Sequence, residues 1–167
     1  MNGSCATVAA APARRLAHCV IRVFMKRTFL ILSTLLLAVL PAVSRASDLD
    51  AALACNESAH AFIADLAQQQ LIDAQPMRVE SNSINAFSPS RGARLSAFGF
   101  SVFALVAYEK DDPMFRTGTG EPVANSAYGA VVFGGTEKVQ EAVQAAGSTA
   151  IVHHVAPHVT AIFCKRS

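Results

Sequence analysis

No acidic residue precedes Asp48 in this chain of 167 residues. All 12 Asp and Glu lie at or after that position, while six of the 14 cations lie before it: Arg14, Arg15, Arg22, Lys26, Arg27 and Arg45. The overall charge of +2 therefore misdescribes the folded part. From Ser47 onward 12 acidic residues stand against 8 basic ones, a net charge of −4. A mildly acidic domain lacks the positive footprint of a nucleic-acid binder, so DNA and RNA are not expected as partners.

Other absences narrow the field further. There is no Trp and there are two Tyr, which weakens any carbohydrate-platform or base-stacking reading. The longest apolar run, about 12–16 residues, falls short of the ~20 a membrane-spanning helix needs. No Cys-x-x-Cys occurs, which argues against a dithiol redox site. Thr117-Gly118-Thr119-Gly120 is glycine-rich but lacks the Lys-Ser/Thr ending of a phosphate loop. Gly99-Phe100-Ser101-Val102-Phe103 places Ser after Gly, yet the second Gly of a nucleophile elbow is missing. Ala52-Leu53-Ala54-Cys55 has a faint likeness to a lipidation box, but it lies beyond Arg45, Asp48 and Asp50, clear of the apolar run.

What is present begins with an export signal. Met25-Lys26-Arg27 opens it, an almost unbroken apolar stretch runs to Leu40, and Ser44-Arg45-Ala46 supplies small-x-small. This order predicts a signal peptide over residues 25–46, with the mature chain starting at Ser47 within a residue or two. Its cationic flank is held on the cytoplasmic side. The expected location is periplasmic or secreted, with no membrane anchor after cleavage. Residues 1–24 precede a signal that carries its own Met25. They read as a misassigned start, with an extended n-region or an organellar targeting peptide as alternatives.

Cys5 and Cys19 fall in the leader, and the mature part keeps Cys55 and Cys164. An even pair in an oxidising compartment predicts a Cys55–Cys164 disulfide. The alternative is two buried free thiols.

Residues 47–167 suit one domain with one core. Asp48 to about Leu71 reads as a helix with Cys55, Ala59, Phe62, Ile63 and Leu66 on one stripe and Ser47 or Asp48 as its cap. Met77 to about Phe87 reads as a weak strand. Arg94 to Tyr108 reads as one long strand, apolar on both faces and hence central. Ala127 to Phe133 is a short strand. Gly134-Gly135-Thr136 leads into a helix with Val139, Ala142, Val143 and Ala146 on its stripe, stopped by Gly147. Thr149–Val155 and His158–Cys164 form a hairpin around Ala156-Pro157. The expectation is α+β in the order α-β-β-β-α-β-β, with a mostly antiparallel sheet of about five strands and both helices on one face.

Candidate chemistry is thin. His154 and His158 can face each other across the hairpin, but strand alternation separates His153 from His154. No metal or cofactor is expected. Glu109, Asp111, Asp112 and Glu121 lack the ligand spacing of a calcium loop and read as a solvated acidic loop. Glu57 and His60 sit one helical turn apart, as surface pairs do. What remains is Glu109–Asn125, a long aperiodic segment, and such segments are usually functional or disordered. It carries Met114, Phe115 and Arg116, side chains that interface cores favour, so these three are the candidate binding residues. The alternative is that Met114 and Phe115 fold back as a lid on the core. The functional expectation is an exported binding protein, an inhibitor or immunity-type protein engaging a partner protein in the cell envelope, rather than an enzyme. The competing classes are a small periplasmic hydrolase whose site assembles only in the fold, and an envelope assembly subunit.

Overall fold

The computed structural model describes residues 46–166, within a compact unit spanning Ser44–Ser167. Of the expected leader, residues 1–45 lie outside the described residues, and its last residue, Ala46, lies within them.

The described chain is α+β. Its eight strands are β1 (Ala46–Asp48), β2 (Arg78–Val79), β3 (Asn85–Phe87), β4 (Arg94–Ala97), β5 (Phe100–Glu109), β6 (Ser126–Phe133), β7 (Ile151–Ala156) and β8 (Val159–Arg166). The helices are α1 (Ala59–Gln68) and α2 (Thr136–Ala145). The strand order is β1-β4-β5-β6-β8-β7, with β3 joining β5 beside β4 and β2 flanking β3. Every pairing is antiparallel except β1 with β4.

Eight strands stand where about five were expected, and the difference arises in three places. First, the run Arg94–Tyr108 is not one strand. Phe98 and Gly99 both take positive φ, +50° and +81°, and Ala97 pairs with Phe100. That is a two-residue hairpin turn with left-handed conformation at both central positions. Asn-Gly is the usual sequence for it. Here Phe98 is held in place because its N–H donates to the Asp50 carboxylate and its ring is buried. Second, Met77–Phe87 is itself a tight hairpin, β2 against β3, turning through Ser83 at φ +69°. Third, the segment from Asp48 is not helical. It starts as β1, makes a short 3-10 turn at Ala52–Ala54, and bends at Cys55 with φ +68°. Cys55 therefore sits before α1 rather than on its stripe.

α1 begins at Ala59 rather than at Asp48, after an N-cap supplied by Ser58. Its free N–H groups are met from far along the chain. The Ser126 hydroxyl accepts from Ala59 at 3.2 Å and the Glu109 carboxylate from His60 at 2.8 Å, while Ser58 Oγ accepts from Ala61 at 3.1 Å. A carboxylate there also suits the positive end of the helix dipole. α2 matches its expected stop and most of its stripe: Val139 and Val143 are buried and Ala142 partly so, Ala146 is the exposed C-cap, and Gly147 at φ +69° closes the helix.

Cross-strand partners share a face, so the register defines two faces. On one lie Leu105, Ala130, Ile162 and Val152 in a row, with Ala107, Tyr128 and Cys164 on one side and Val102, Val132, Thr160 and His154 on the other. The helices cover this face. Phe62 of α1 stacks on Tyr128 with centroids 4.9 Å apart, and Thr136 of α2 lies 3.1 Å from the His154 ring and 3.2 Å from the Thr160 hydroxyl. Burying Phe62, Ile63, Leu66, Val139 and Val143 here contributes roughly 1.5–3 kcal/mol each for the large side chains. The Cys55–Cys164 disulfide, with Cα atoms 5.2 Å apart, ties the approach to α1 onto this face.

Candidate functional site

The opposite face carries Val106, Gly129, Phe163 and Ile151 in one row and Ala104, Val131, Ala161 and His153 in the next. Neither helix lies on it. Its side chains are nearly as apolar as those beneath the helices, and Phe103 stacks on Phe133 at 4.7 Å along its outer part. Phe133 is 58 % exposed, Val155 53 % and Ile151 44 %. The strands β5, β6, β8 and β7 lie side by side. Three spacings of ~4.8 Å make this surface about 14 Å wide, and six rises of ~3.4 Å from Ala127 to Phe133 make it about 20 Å long. That footprint is on the order of 300 Å²; within it Ala104, Ala127 and Val131 are buried, and the most exposed apolar side chains are Phe133, Val155 and Ile151.

A cleft of about 430 Å³ opens on this face where the sheet meets the β2–β3 hairpin. Ile84, Val106, Val131 and Phe163 form its floor and wall, and His153 and Glu80 stand at its polar edge. Gly129 shapes the floor. A Cβ there would lie 2.2 Å from the Ile162 carbonyl oxygen and 2.7 Å from Phe163 Cβ, so only glycine lets β8 approach this closely, with Phe163 standing over the gap. A second cleft, of about 470 Å³, separates the segment Ser47–Ala52 from α1. Asp48, Glu57 and Asp65 line it alongside Leu49, Phe62 and Leu66, giving a groove with an acidic rim and an apolar floor. Burial, then the nearby Asp65 charge, raises the Glu57 carboxyl above its usual range.

The loop between β5 and β6 is ordered by hydrogen bonds rather than by periodicity. Asn85, fully buried, accepts from the Arg116 N–H at 2.9 Å and donates to the Arg116 and Ser83 carbonyls, both at 2.8 Å. Gly118 N–H donates to Ser83 Oγ at 3.0 Å and Gly120 N–H to the Ser81 carbonyl at 2.7 Å. A Cβ at Gly118 would meet the Glu80 carbonyl oxygen at 2.2 Å. The glycine-rich run is thus a seam between loop and hairpin. Of the three candidate residues, Phe115 is 7 % exposed, its ring 6.4 Å from Phe87 and 6.5 Å from Tyr108. Met114 packs partly buried against the same core. Arg116 is exposed and donates to Gln75 Oε1 at 3.2 Å. The loop brings the three together in sequence but turns Phe115 inward and Arg116 outward, the placement of a core lid.

The histidines do not converge. His153 faces the open side, His154 the helix side beside Thr136, and His158 lies in the β7–β8 turn at φ +59°. Among the described residues no three His, Cys, Asp or Glu come together in a metal-binding group. His60 is not paired with Glu57. Its Nδ1 lies 2.6 Å from Asp112 Oδ2, on a ring that is 53 % exposed. This His–Asp pair, 52 residues apart in sequence, had no local signal. A hydrolytic triad needs a nucleophile on the far ring nitrogen, and no such hydrogen bond is made among the described residues. Nor is any helix of theirs long and apolar enough to cross a membrane.

No protein family matches the chain, and neither a curated protein nor a solved structure shows significant similarity to it.

Proposed function

We propose that this is an exported binding protein that engages a partner protein through the open face of its sheet. The observation that carries the reading is the incompletely covered apolar surface from Ile84 and Val106 across Phe163 to the exposed Phe133, with Ile151 and Val155 exposed at its edge. Solvated sheet faces ordinarily alternate to polar side chains, and β5 and β6 do not. A surface about 14 by 20 Å suits the core of a protein interface better than a single small ligand, whose sites are enclosed on most sides. The cleft supplies a socket for one anchoring side chain of the partner, as interface hot spots use.

Charge specifies the partner's rim. Asp111 and Glu121 are exposed on the adjoining loop, Glu80 at the cleft's edge is paired with Arg78 at 2.8 Å, and the chain from Ser47 carries −4 overall. The complement is an apolar protein surface ringed by Lys and Arg. Export rests on the Met25–Ala46 signal and fits the disulfide between Cys55 and Cys164. The periplasm is the compartment this reading assigns.

Site-specific photo-crosslinking in exporting cells tests the proposal. A benzophenone side chain at Phe103 or Phe133 should yield one discrete adduct, and the same group at Gln144 on α2 should not. Adducts of equal yield from both faces, or none from the open face, would overturn it.

A further inference from the structure

The sheet has several edges, and they are not protected alike. β1 is three residues long and β2 two, the latter carrying Arg78. Short or charged edges resist pairing with another chain. β7 is six residues long, Ile151-Val152-His153-His154-Val155-Ala156, with no Lys, Arg, Asp, Glu or Pro. It is last in the strand order, and no described strand pairs with its outer side. Its one irregularity is a register shift between His154 and Ala156 that leaves Val155 as a bulged residue without a partner on β8, at the turn end of the strand. The outer side of β7 is therefore a row of backbone donors and acceptors flanked by exposed Ile151 and Val155.

The strand is also complementary to itself. Ile151, His153 and Val155 share the open face: Ile151 pairs with Phe163 and His153 with Ala161, and His153 and Val155 both line the cleft. A two-fold axis perpendicular to the sheet through His153 would set Ile151 opposite Val155 of the other copy, Val155 opposite Ile151, and His153 opposite its own counterpart. On the helix side Val152 would meet His154. Each exposed aliphatic side chain is then covered by another, and no charged side chain faces a like charge. Any other register of the same parity leaves one of these aliphatic side chains without its partner.

We propose that two copies of this chain associate by antiparallel β7–β7 pairing about that axis, an isologous dimer with one continuous sheet. The two open faces lie on the same side of the joined sheet, so the dimer presents the surface of each copy twice over. Pairing through one short strand per copy places the interface at the small end of the range, so association is weak and concentration-dependent. The dimer stands independently of what docks on the open face.

The test uses the protein as cells export it; with the leader removed before Ser47, its two cysteines are Cys55 and Cys164, already joined to each other. At pH 8, where histidine is ordinarily neutral, sedimentation should show a monomer–dimer equilibrium. Directly opposed Cα atoms in an antiparallel pair lie ~4.5–5.5 Å apart, inside the range a disulfide spans. His153→Cys should therefore link copies under mild oxidation, while Glu141→Cys, exposed on α2, should not. Ile151→Lys and Val155→Lys should each shift the equilibrium toward monomer by at least tenfold, with circular dichroism unchanged. Phe133→Lys, on the open face but away from β7, should leave the dimer intact. A wild-type chain that stays monomeric at high concentration would overturn the proposal. So would equal crosslinking at 141 and 153, or a dimer broken by Phe133→Lys and not by the β7 variants. The last result would report face-to-face docking instead.

Discussion

The two faces of one sheet carry similar side chains and meet different fates. Beneath the helices, Leu105, Ala130 and Ile162 are wholly buried. On the other face, one residue further along, Val106 and Phe163 remain partly accessible while Val131 is buried, and Phe133, at the end of β6, is 58 % exposed. Side-chain chemistry does not decide which face is covered. The crossovers do. α1 precedes the sheet's central strands and α2 links β6 to β7, and both fall on the side where Tyr128, Cys164 and Thr160 offer them contacts. An apolar face without a helix keeps its hydrophobic driving force and spends it outside the chain, which is why the open face is the functional candidate.

Substitution of aromatic residues should separate the two sides by the largest margin. Phe62→Ala, under α1, and Phe115→Ala, under the β5–β6 loop, should each lower stability by about 3–5 kcal/mol, the cost of emptying a core aromatic site. Phe133→Ala should stay within about 0.5 kcal/mol, as exposed positions do. Urea melts of the three variants make the comparison. A Phe115→Ala chain as stable as wild type would remove the lid and return that residue to the binding surface. A large loss from Phe133→Ala would mean that the open face is part of the core.

The disulfide bears on one side only, since it joins the approach to α1 to the helix-covered row. In the chain-entropy view, closing a loop of about 100 residues contributes at most ~4.7 kcal/mol, and removal of such a bond typically costs 2–5 kcal/mol. Reduction should therefore lower the urea midpoint. It should also raise amide exchange in Ala59–Gln68 before Ser126–Phe133, because β6 keeps its ladders to β5 and β8. Uniform loss of protection in both segments would show that the bond holds the whole sheet and not just the helix layer.

Much of the fold was legible where its cause is local. α2, β6 and the β7–β8 hairpin follow from the Val139–Val143 spacing, the apolar run before Gly134, and Pro157. The hairpin between β4 and β5 was not, because Phe98 takes its left-handed conformation through an acceptor 48 residues away, Asp50. β1 was hidden for the same reason: its partner β4 lies well beyond α1. The loop from Glu109 stood out as aperiodic, but its ordering depends on Asn85, a residue that reads as an ordinary turn former. The open face was the least legible of all. Val106 and Leu105 are equivalent in pattern, and only the placement of the helices tells them apart.

The smallest expected effect lies in the acid-rimmed groove, the counterpart of the apolar cleft across the sheet. Burial, followed by Asp65, raises the Glu57 carboxyl, and the contact Arg166 makes to this residue is to its backbone carbonyl, at 3.2 Å. A carboxyl raised on folding stabilises the fold only while protonated. That contribution is complete below the ordinary glutamate range and is lost as pH rises through the raised value. At pH 7 the charged Glu57 is thus a mild liability. Glu57→Gln should raise the urea midpoint slightly at pH 7, and the two chains should converge below about pH 4, where an ordinary glutamate is also protonated. Paired melts across that interval read the difference directly. A wild-type chain that is the more stable at pH 7 would mean that the charge has a favourable partner, and the groove would then be a cation-holding surface instead of a solvated one.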